Sequence, residues 1–292
     1  MSIKSLRPIG IFDSGIGGLT VLRAIRQLMP DESLLYLADQ AHVPFGPRTM
    51  EEVRNFSEAI TRYLLDQGSK QIVLACNAAS AAALKYLRLI LPEVPFVGME
   101  PAVKPAAEHT RSGVVGVLAT PATFQGELYA SVVERFGQGV KLLQDTCPGL
   151  VNQIEKGALE SAETRRILEK ALQPMLAQGI DTVVLGCTHY PFVIPLIQQI
   201  SGPDVRVIDP APAVARQAQR LLVAGNLLDM ELNNEASQFE KPHGQIHFAT
   251  TGDAARLENM LPRLIGETSQ VEHLTWKNGK LVSSDSSVAT TQ

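Results

Sequence analysis

Ile72-Val73-Leu74-Ala75-Cys76-Asn77 and, more than a hundred positions later, Thr182-Val183-Val184-Leu185-Gly186-Cys187-Thr188-His189 share one layout. In each, a β-branched and aliphatic run ends in a cysteine. Small polar residues follow (Asn77 with Ser80; Thr188 with His189), and then a helix-forming stretch. An apolar run of this length reads as a buried strand, and strands alternating with helices are the units of a parallel sheet. Open α/β sheets bind ligands outside the carboxyl ends of their strands. Two such units, each ending in a thiol, suggest two sulfurs facing one ligand.

Working outward, the same alternation fills the chain. Strands are expected at Ile9 to Phe12, Leu34 to Leu37, Ile72 to Cys76, Phe96 to Gly98, Val114 to Leu118, Val183 to Cys187, Val205 to Ile208, Ile246 to Ala249 and Val271 to Leu274. Helical patterns fall near 18–29, 50–67, 79–90, 123–135, 163–177, 192–200 and 211–224. The chain also resembles itself: Cys76 lies 63 positions after Asp13 and Cys187 lies 68 after Ala119, each at the end of a similar unit. A duplicated α/β unit fits both spacings. The expected fold is α/β with two similar doubly wound parallel-sheet domains, related by pseudo-twofold symmetry, and an active site in the cleft between them. Crossings near Glu100-Pro101, with Pro105 close by, and near Asp209-Pro210 divide the chain into 1–99 plus 210–292 and 100–209. The Ser/Thr-rich final dozen residues are expected to fray.

Composition excludes several classes. With 26 basic against 30 acidic residues, the net charge of −4 offers no field for nucleic acid or an anionic membrane. The apolar runs are interrupted well before the ~20 residues a spanning helix needs, and no signal-peptide core is present, so a cytoplasmic protein with a small-molecule partner is expected. Three cysteines (Cys76, Cys147, Cys187) without CxxC spacing read as free thiols. Cys147, in Thr146-Cys147-Pro148-Gly149, follows no such strand and reads as structural. His42, His109, His189, His243, His247 and His273 lack ligand spacing, so no metal site is expected.

Helix N-termini after Cys76 and Cys187 would favour a thiolate or a carboxylate ligand. The competing reading is that a cysteine ending a strand is simply core. Phe12-Asp13-Ser14-Gly15-Ile16-Gly17-Gly18 takes a strand into an acid, a hydroxyl and a glycine turn. Its third glycine comes too early for a dinucleotide fingerprint. A small zwitterion fits better, with Asp13 taking an ammonium or tuning a thiol and Ser14 taking a carboxylate; Asp13 capping the next helix is the plainer alternative. The loop Ala38-Asp39-Gln40-Ala41-His42-Val43-Pro44-Phe45-Gly46-Pro47-Arg48 offers the Phe45 and Gly46 amides as anion donors, with Arg48 more apt to be solvated. Trp276 is expected to cover core.

Taken together these residues resemble the glutamate racemases, the cofactor-independent branch of the aspartate/glutamate racemase superfamily. The carrying motifs are FDSGIGG at 12–18, VPFG at 43–46 for the usual VPYG, ACNAAS at 75–80 for ACNTAS, and GCTHYP at 186–191. Weaker echoes are the strand end from Gly116 to Thr123, the stretch from Cys147 to Gly157 with Glu155, and Thr250-Thr251-Gly252-Asp253.

The resemblance implies two domains closing over free glutamate, with one cysteine on each face of its α-carbon. By that analogy Cys76 deprotonates D-glutamate and Cys187 L-glutamate. Asp13 and His189 assist the adjacent thiols, Glu155 stands on the His189 side, and Asp39 gives further support. Ser14, Phe45, Gly46, Asn77, Ala78, Thr120 and Thr188, with Asp13 and His189, would hold substrate. No pyridoxal phosphate or metal is implied, and a homodimer is expected. Ala78 in place of Thr and Phe45 in place of Tyr depart from the family pattern; a lost hydrogen bond to a carboxylate is worth ~1.5–3 kcal/mol. Alternatives are a racemase of another acidic amino acid such as aspartate, a non-catalytic binder of an acidic metabolite or protein, and a dinucleotide-binding protein.

Overall fold

The first aliphatic run forms β1 (Ile9–Asp13), buried along its whole length because both faces of its sheet are covered. It is followed by α1 (Leu19–Leu28), β2 (Leu34–Ala38), α2 (Met50–Asp66), β3 (Gln71–Leu74), α3 (Asn77–Ile90) and β4 (Phe96–Val97). Next come α4 (Val103–His109), β5 (Val114–Ala119), α5 (Pro121–Gln125), α6 (Glu127–Phe136), β6 (Lys141–Asp145), α7 (Leu150–Glu155), α8 (Ala162–Leu176), β7 (Thr182–Gly186), a 3₁₀ turn (Tyr190–Val193), α9 (Ile194–Ser201) and β8 (Arg206–Ile208). The chain ends through α10 (Ala211–Ala224), β9 (Ile246–Thr250), α11 (Ala254–Ile265), β10 (Val271–Lys277) and β11 (Lys280–Ser283). This computed structural model describes residues 7–228 and 244–283.

Two sheets result. One has the order β11-β10-β9-β2-β1-β3-β4, the other β6-β5-β7-β8. Every pairing is parallel except the β10–β11 hairpin. That hairpin turns at Asn278-Gly279, both at positive φ (51° and 73°), the conformation an Asn-Gly turn supplies at little cost. The strands of the first sheet come from residues 9–97 and 246–283, so the last strands do return to the first unit, and those of the second come from 114–208.

Helices cover both faces of the sheets. α1 buries Leu19, Val21, Leu22 and Ile25 on one side of the first sheet. On the other, α2 and α3 bury Val53, Ile60, Leu64, Leu84 and Leu87 against Phe12, Leu37 and Leu74. Each such side chain contributes ~1.5–3 kcal/mol on removal from water. α2 starts at a capping box, with the Glu52 N–H donating to Thr49 Oγ1 (3.2 Å) and the Thr49 N–H to Glu52 Oε2 (3.0 Å).

The sequence pattern needs correcting in places. The helix expected over 123–135 is two helices, because Gly126 breaks it in an extended conformation and lies so close to α3 that a Cβ there would be 2.7 Å from the Ala81 Cβ. β6, α4, α7 and α11 were not anticipated. Residues 281–283, expected to fray, pair with β10; the rest of that tail, and His243, lie outside the described residues. Among the described residues, no helix is long and apolar enough to cross a membrane.

Candidate active site

β3 ends at Leu74, and α3 begins three residues later, so Cys76 is the residue that caps the helix. Its backbone is extended (φ −147°, ψ 122°), and the sulfur makes no capping hydrogen bond to the first turn of α3. Ser14 Oγ lies 4.0 Å from Sγ. Burial, then the nearby Asp13 carboxylate, push the Cys76 thiol well above its ordinary 9.0, so this sulfur holds its proton in the resting protein.

Asp13 is the last residue of β1 and fully buried. The Gly18 N–H donates to its Oδ2 (2.9 Å), and Thr188 Oγ1, reaching across from the other half, donates to Oδ1 (3.4 Å). Asp13 is not the cap of α1, whose N-cap is Gly18 without a side-chain cap bond; the Asp13 carboxylate instead takes the N–H of Gly18 itself. Burial raises its carboxyl above the ordinary 3.8, an effect that the imidazole of His189 opposes.

On the opposite side, β7 ends at Gly186 and delivers Cys187, Thr188 and His189. His189 Nδ1 is 3.9 Å from Cys187 Sγ, and His189 Nε2 donates to Glu155 Oε1 at 2.6 Å. Burial pulls the His189 pKa down. The Cys187 sulfur, Glu155 and Asp13 outweigh it and hold the imidazole well above its ordinary 6.5, hence cationic. Glu155, at the C-terminus of α7, is raised by burial but lowered more by His189, Gln40 and the Ile16 N–H, and so stays anionic. The two sulfurs thus meet unlike surroundings, a carboxylate beside Cys76 and an imidazolium beside Cys187.

The glycine turn explains how these groups come together. A Cβ on Gly15 would collide with Glu155 Oε1, and one on Gly17 with His189 Nδ1. Tyr36 OH donates to the Gly15 carbonyl (2.6 Å) from below and fixes the turn. The bare glycine backbone permits a close approach, and the groups that make it are Glu155 and His189. Gly46 likewise lies against Thr120, where an added Cβ would be 2.7 Å from the Thr120 Cβ.

Ser14, Phe45, Gly46, Cys76, Asn77, Ala78, Thr120, Cys187, Thr188 and His189 line one small cavity, with Pro44 and Val151. It offers only about 20 Å³ to water centres, little more than the ~10–15 Å³ one water requires. The Asn77 side chain is buried there with neither Oδ1 nor Nδ2 hydrogen-bonded, an arrangement that costs free energy unless a ligand completes it. A larger cavity of about 870 Å³ opens between the crossing segments around Pro101 and Pro210, but it contains neither thiol. Cys76 and Cys187 both line the smaller one. Among the described residues, no group of three His, Cys, Asp or Glu is placed to hold a metal.

Some expected residues lie elsewhere. Asp39, foreseen as support for a thiol, instead accepts from His42 (2.9 Å), Thr251 (2.8 Å) and Trp276 (2.8 Å). Arg48 donates to the His42 carbonyl (2.7 Å) and lies over the Phe56 ring, away from the cavity. Trp276 packs against Phe56 and His42. Cys147 is buried, in line with a structural role, its N–H bonded to Asp145. Sequence reasoning missed Gln40, whose Nε2 donates to Glu155 Oε2 (3.0 Å), and Tyr36; neither carries a local signal, since both partners are distant in sequence.

The chain is similar to known proteins along most of its length. Residues 18–218 match the Asp/Glu/hydantoin racemase family. A glutamate racemase from Roseiflexus sp. (strain RS-1) is 51% identical over 272 residues, covering 93% of this chain and 97% of that one. Among solved structures, glutamate racemase isoform RacE1 from Bacillus anthracis superposes with a TM-score of 0.80 at 31% identity, covering 94% of this chain and 98% of its own. Glutamate racemase from Francisella tularensis, in complex with D-glutamate, gives 0.77 at 27% identity, with 92% and 97% covered.

Proposed function

The chain belongs to the Asp/Glu/hydantoin racemase family, and we propose that it interconverts free L- and D-glutamate by a two-cysteine mechanism, supplying D-glutamate for peptidoglycan synthesis. The observation that carries this reading is the pair of buried sulfurs, one from each half, on one cavity with opposite charges beside them. Inverting a stereocentre requires the proton to leave one face and arrive on the other. Two bases of one kind do this in both directions.

In the resting form Cys76 is a thiol, and the base on the opposite face is Cys187, whose sulfur lies 3.9 Å from His189 Nδ1. That form accepts L-glutamate. Cys187 takes the α-proton, the electron pair left on carbon spreads into the α-carboxylate, and Cys76 donates its proton on the far face. D-glutamate leaves with Cys76 as thiolate and Cys187 as thiol, the form that runs the reverse reaction. Asp13 and Ser14 face the ammonium and carboxylate. Asn77, Thr188, Thr120 and the main chain at Phe45, Gly46 and Ala78 hold the remaining oxygens. With Ala78 lacking a hydroxyl, only its main-chain N–H at the start of α3 is on offer.

Glutamate is larger than the cavity, so the halves must part to admit it. We take them as 1–99 with 210–292, and 100–209, moving about the crossings at Glu100-Pro101 and Asp209-Pro210. A cytoplasmic homodimer completes the reading; sedimentation equilibrium tests the dimer.

Incubation with L-glutamate, with D-glutamate and, in parallel, with aspartate in deuterated water tests the activity. Deuterium is expected at the α-carbon of recovered glutamate from either enantiomer, approaching a racemate. Saturable binding without exchange would refute an enzyme, and exchange confined to aspartate would move the substrate to the shorter acid.

A further inference from the structure

The turn from Thr250 to Asp253 and the residue Gln40 lie outside the chemistry just described, yet both reach toward it. Gln40 follows β2 in the first half. Its Nε2 donates to Glu155 Oε2 (3.0 Å) on α7 of the second half, and its Oε1 accepts from the Thr250 hydroxyl (2.8 Å) at the end of β9. The amide is thereby oriented with its donor toward the carboxylate. The turn also fixes the backbone on either side of Gln40: the Thr251 N–H donates to the Ala38 carbonyl (3.0 Å), and the Ala41 N–H donates to Thr251 Oγ1 (2.9 Å). Gly252 is close enough that a Cβ there would stand 2.6 Å from the Gln40 Cβ. From the helix that follows the turn, Arg256 Nη2 donates to the Glu155 main-chain carbonyl (2.9 Å).

Glu155 is therefore held by the opposite half at three points: Gln40 on Oε2, the Ile16 N–H on Oε1 (2.8 Å), and Arg256 on its carbonyl. What Glu155 does with the rest of Oε1 is orient His189, whose other nitrogen faces Cys187. We propose that Gln40, braced by Thr250, is a positioning residue for the Cys187 side of the reaction alone, setting the Glu155-His189 pair across the interface when the halves meet. This rests on the two-cysteine reading above. Gln40 touches neither thiol, so it acts through Glu155.

Its signature is directional. The equilibrium constant between enantiomers is fixed, so a defect lowers kcat/KM equally in both directions and rates alone cannot locate it. Isotope effects can. If the Cys187 step is slowed, cleavage of the α-C–D bond of deuterated L-glutamate becomes more rate-limiting, and cleavage in deuterated D-glutamate, which is the Cys76 step, becomes less so.

The test compares wild type with Gln40→Met, which keeps the length and removes the donor, and Gln40→Glu, which sets a carboxylate against Glu155. Gln40 is partly exposed, so both variants should fold, as thermal melts would show. For each, kcat/KM is expected to fall about tenfold or more in both directions. The primary deuterium effect is expected to rise with L-[2-²H]glutamate and fall with D-[2-²H]glutamate. Unchanged rates in Gln40→Met, or isotope effects that move the same way from both enantiomers, would overturn the inference. Absence of α-exchange in the wild type would instead overturn the racemase reading beneath it.

Discussion

Replacing Glu155 by glutamine changes one atom of a buried network, and the structure sets the size of the effect. Oε1 accepts from the Ile16 N–H and His189, while Oε2 accepts from Gln40. A carboxylate satisfies donors at both oxygens, but a carboxamide has one acceptor and one donor group, so in either orientation its NH₂ faces another donor. A buried donor left unmatched costs about 1–3 kcal/mol. Removing one partner of a buried ion pair costs about 3–5 kcal/mol. Because these two figures overlap, about 3 kcal/mol is a fair total, equivalent to a loss of about 100-fold in kcat/KM if His189 must be cationic and correctly turned at the transition state. Glu155→Gln is therefore expected to lose about two orders of magnitude for both enantiomers, measured by polarimetry. Stability should follow pH with a definite sign. The raised His189 pKa contributes stability that is complete below 6.5 and is lost as pH rises through its higher folded value. The lowered Glu155 pKa contributes stability present above 4.5 and lost as pH falls through its folded value. The gap between wild type and variant in urea melts should be widest near neutrality and close at both extremes. Activity within threefold of wild type, or a gap independent of pH, would refute the reasoning.

Three further outcomes are expected. Cys76→Ser and Cys187→Ser should each reduce racemisation to background, because a hydroxyl is far too weak an acid to stand in for either thiol; near-normal turnover by either variant in polarimetry contradicts the two-base assignment. Asn77→Ala should raise KM about tenfold or more while leaving the ligand-free protein as stable or more so, since it removes two buried polar atoms without partners; an unchanged KM means Asn77 makes no substrate contact. Burial tends to raise the Asp181 carboxyl, but Thr110, Ser112, Arg111 and Thr182 donate to it and bring it down to about 2. Asp181→Asn should therefore cost about 1 kcal/mol at neutral pH, after discounting for the solvent around this half-exposed group, and the cost should disappear as pH falls from 3.8 through 2; a cost that persists in acid contradicts the charge-based account.

Much of the fold was legible because the buried strands carry unbroken apolar runs, as in Ile72 to Leu74 and Val183 to Leu185. β6 was not: Lys141-Leu142-Leu143-Gln144-Asp145 is an edge strand with Lys141 and Gln144 exposed and its leucines only partly buried. α11 hides behind an internal Pro262, and α4 and α7 are too short for a clear period. At the site, Cys76, Cys187, Asp13 and His189 could be picked out because each ends or follows a strand. Asp39 shares that position, yet its side chain went to His42, Thr251 and Trp276, partners more than two hundred positions away in two cases. Local pattern places a residue at the rim of a sheet; it does not say which way the side chain is spent. Gln40 was overlooked for the same reason.

Gly15 and Gly17 act as a spacer gauge. Where Glu155 and His189 press on that turn, the thickness of bare backbone sets how closely they can approach it, and a single methyl would act as a shim. Positions 15 and 17 are thus closed to drift toward any chiral residue, and selection for tight grip on the substrate is, at this turn, selection for the smallest amino acid.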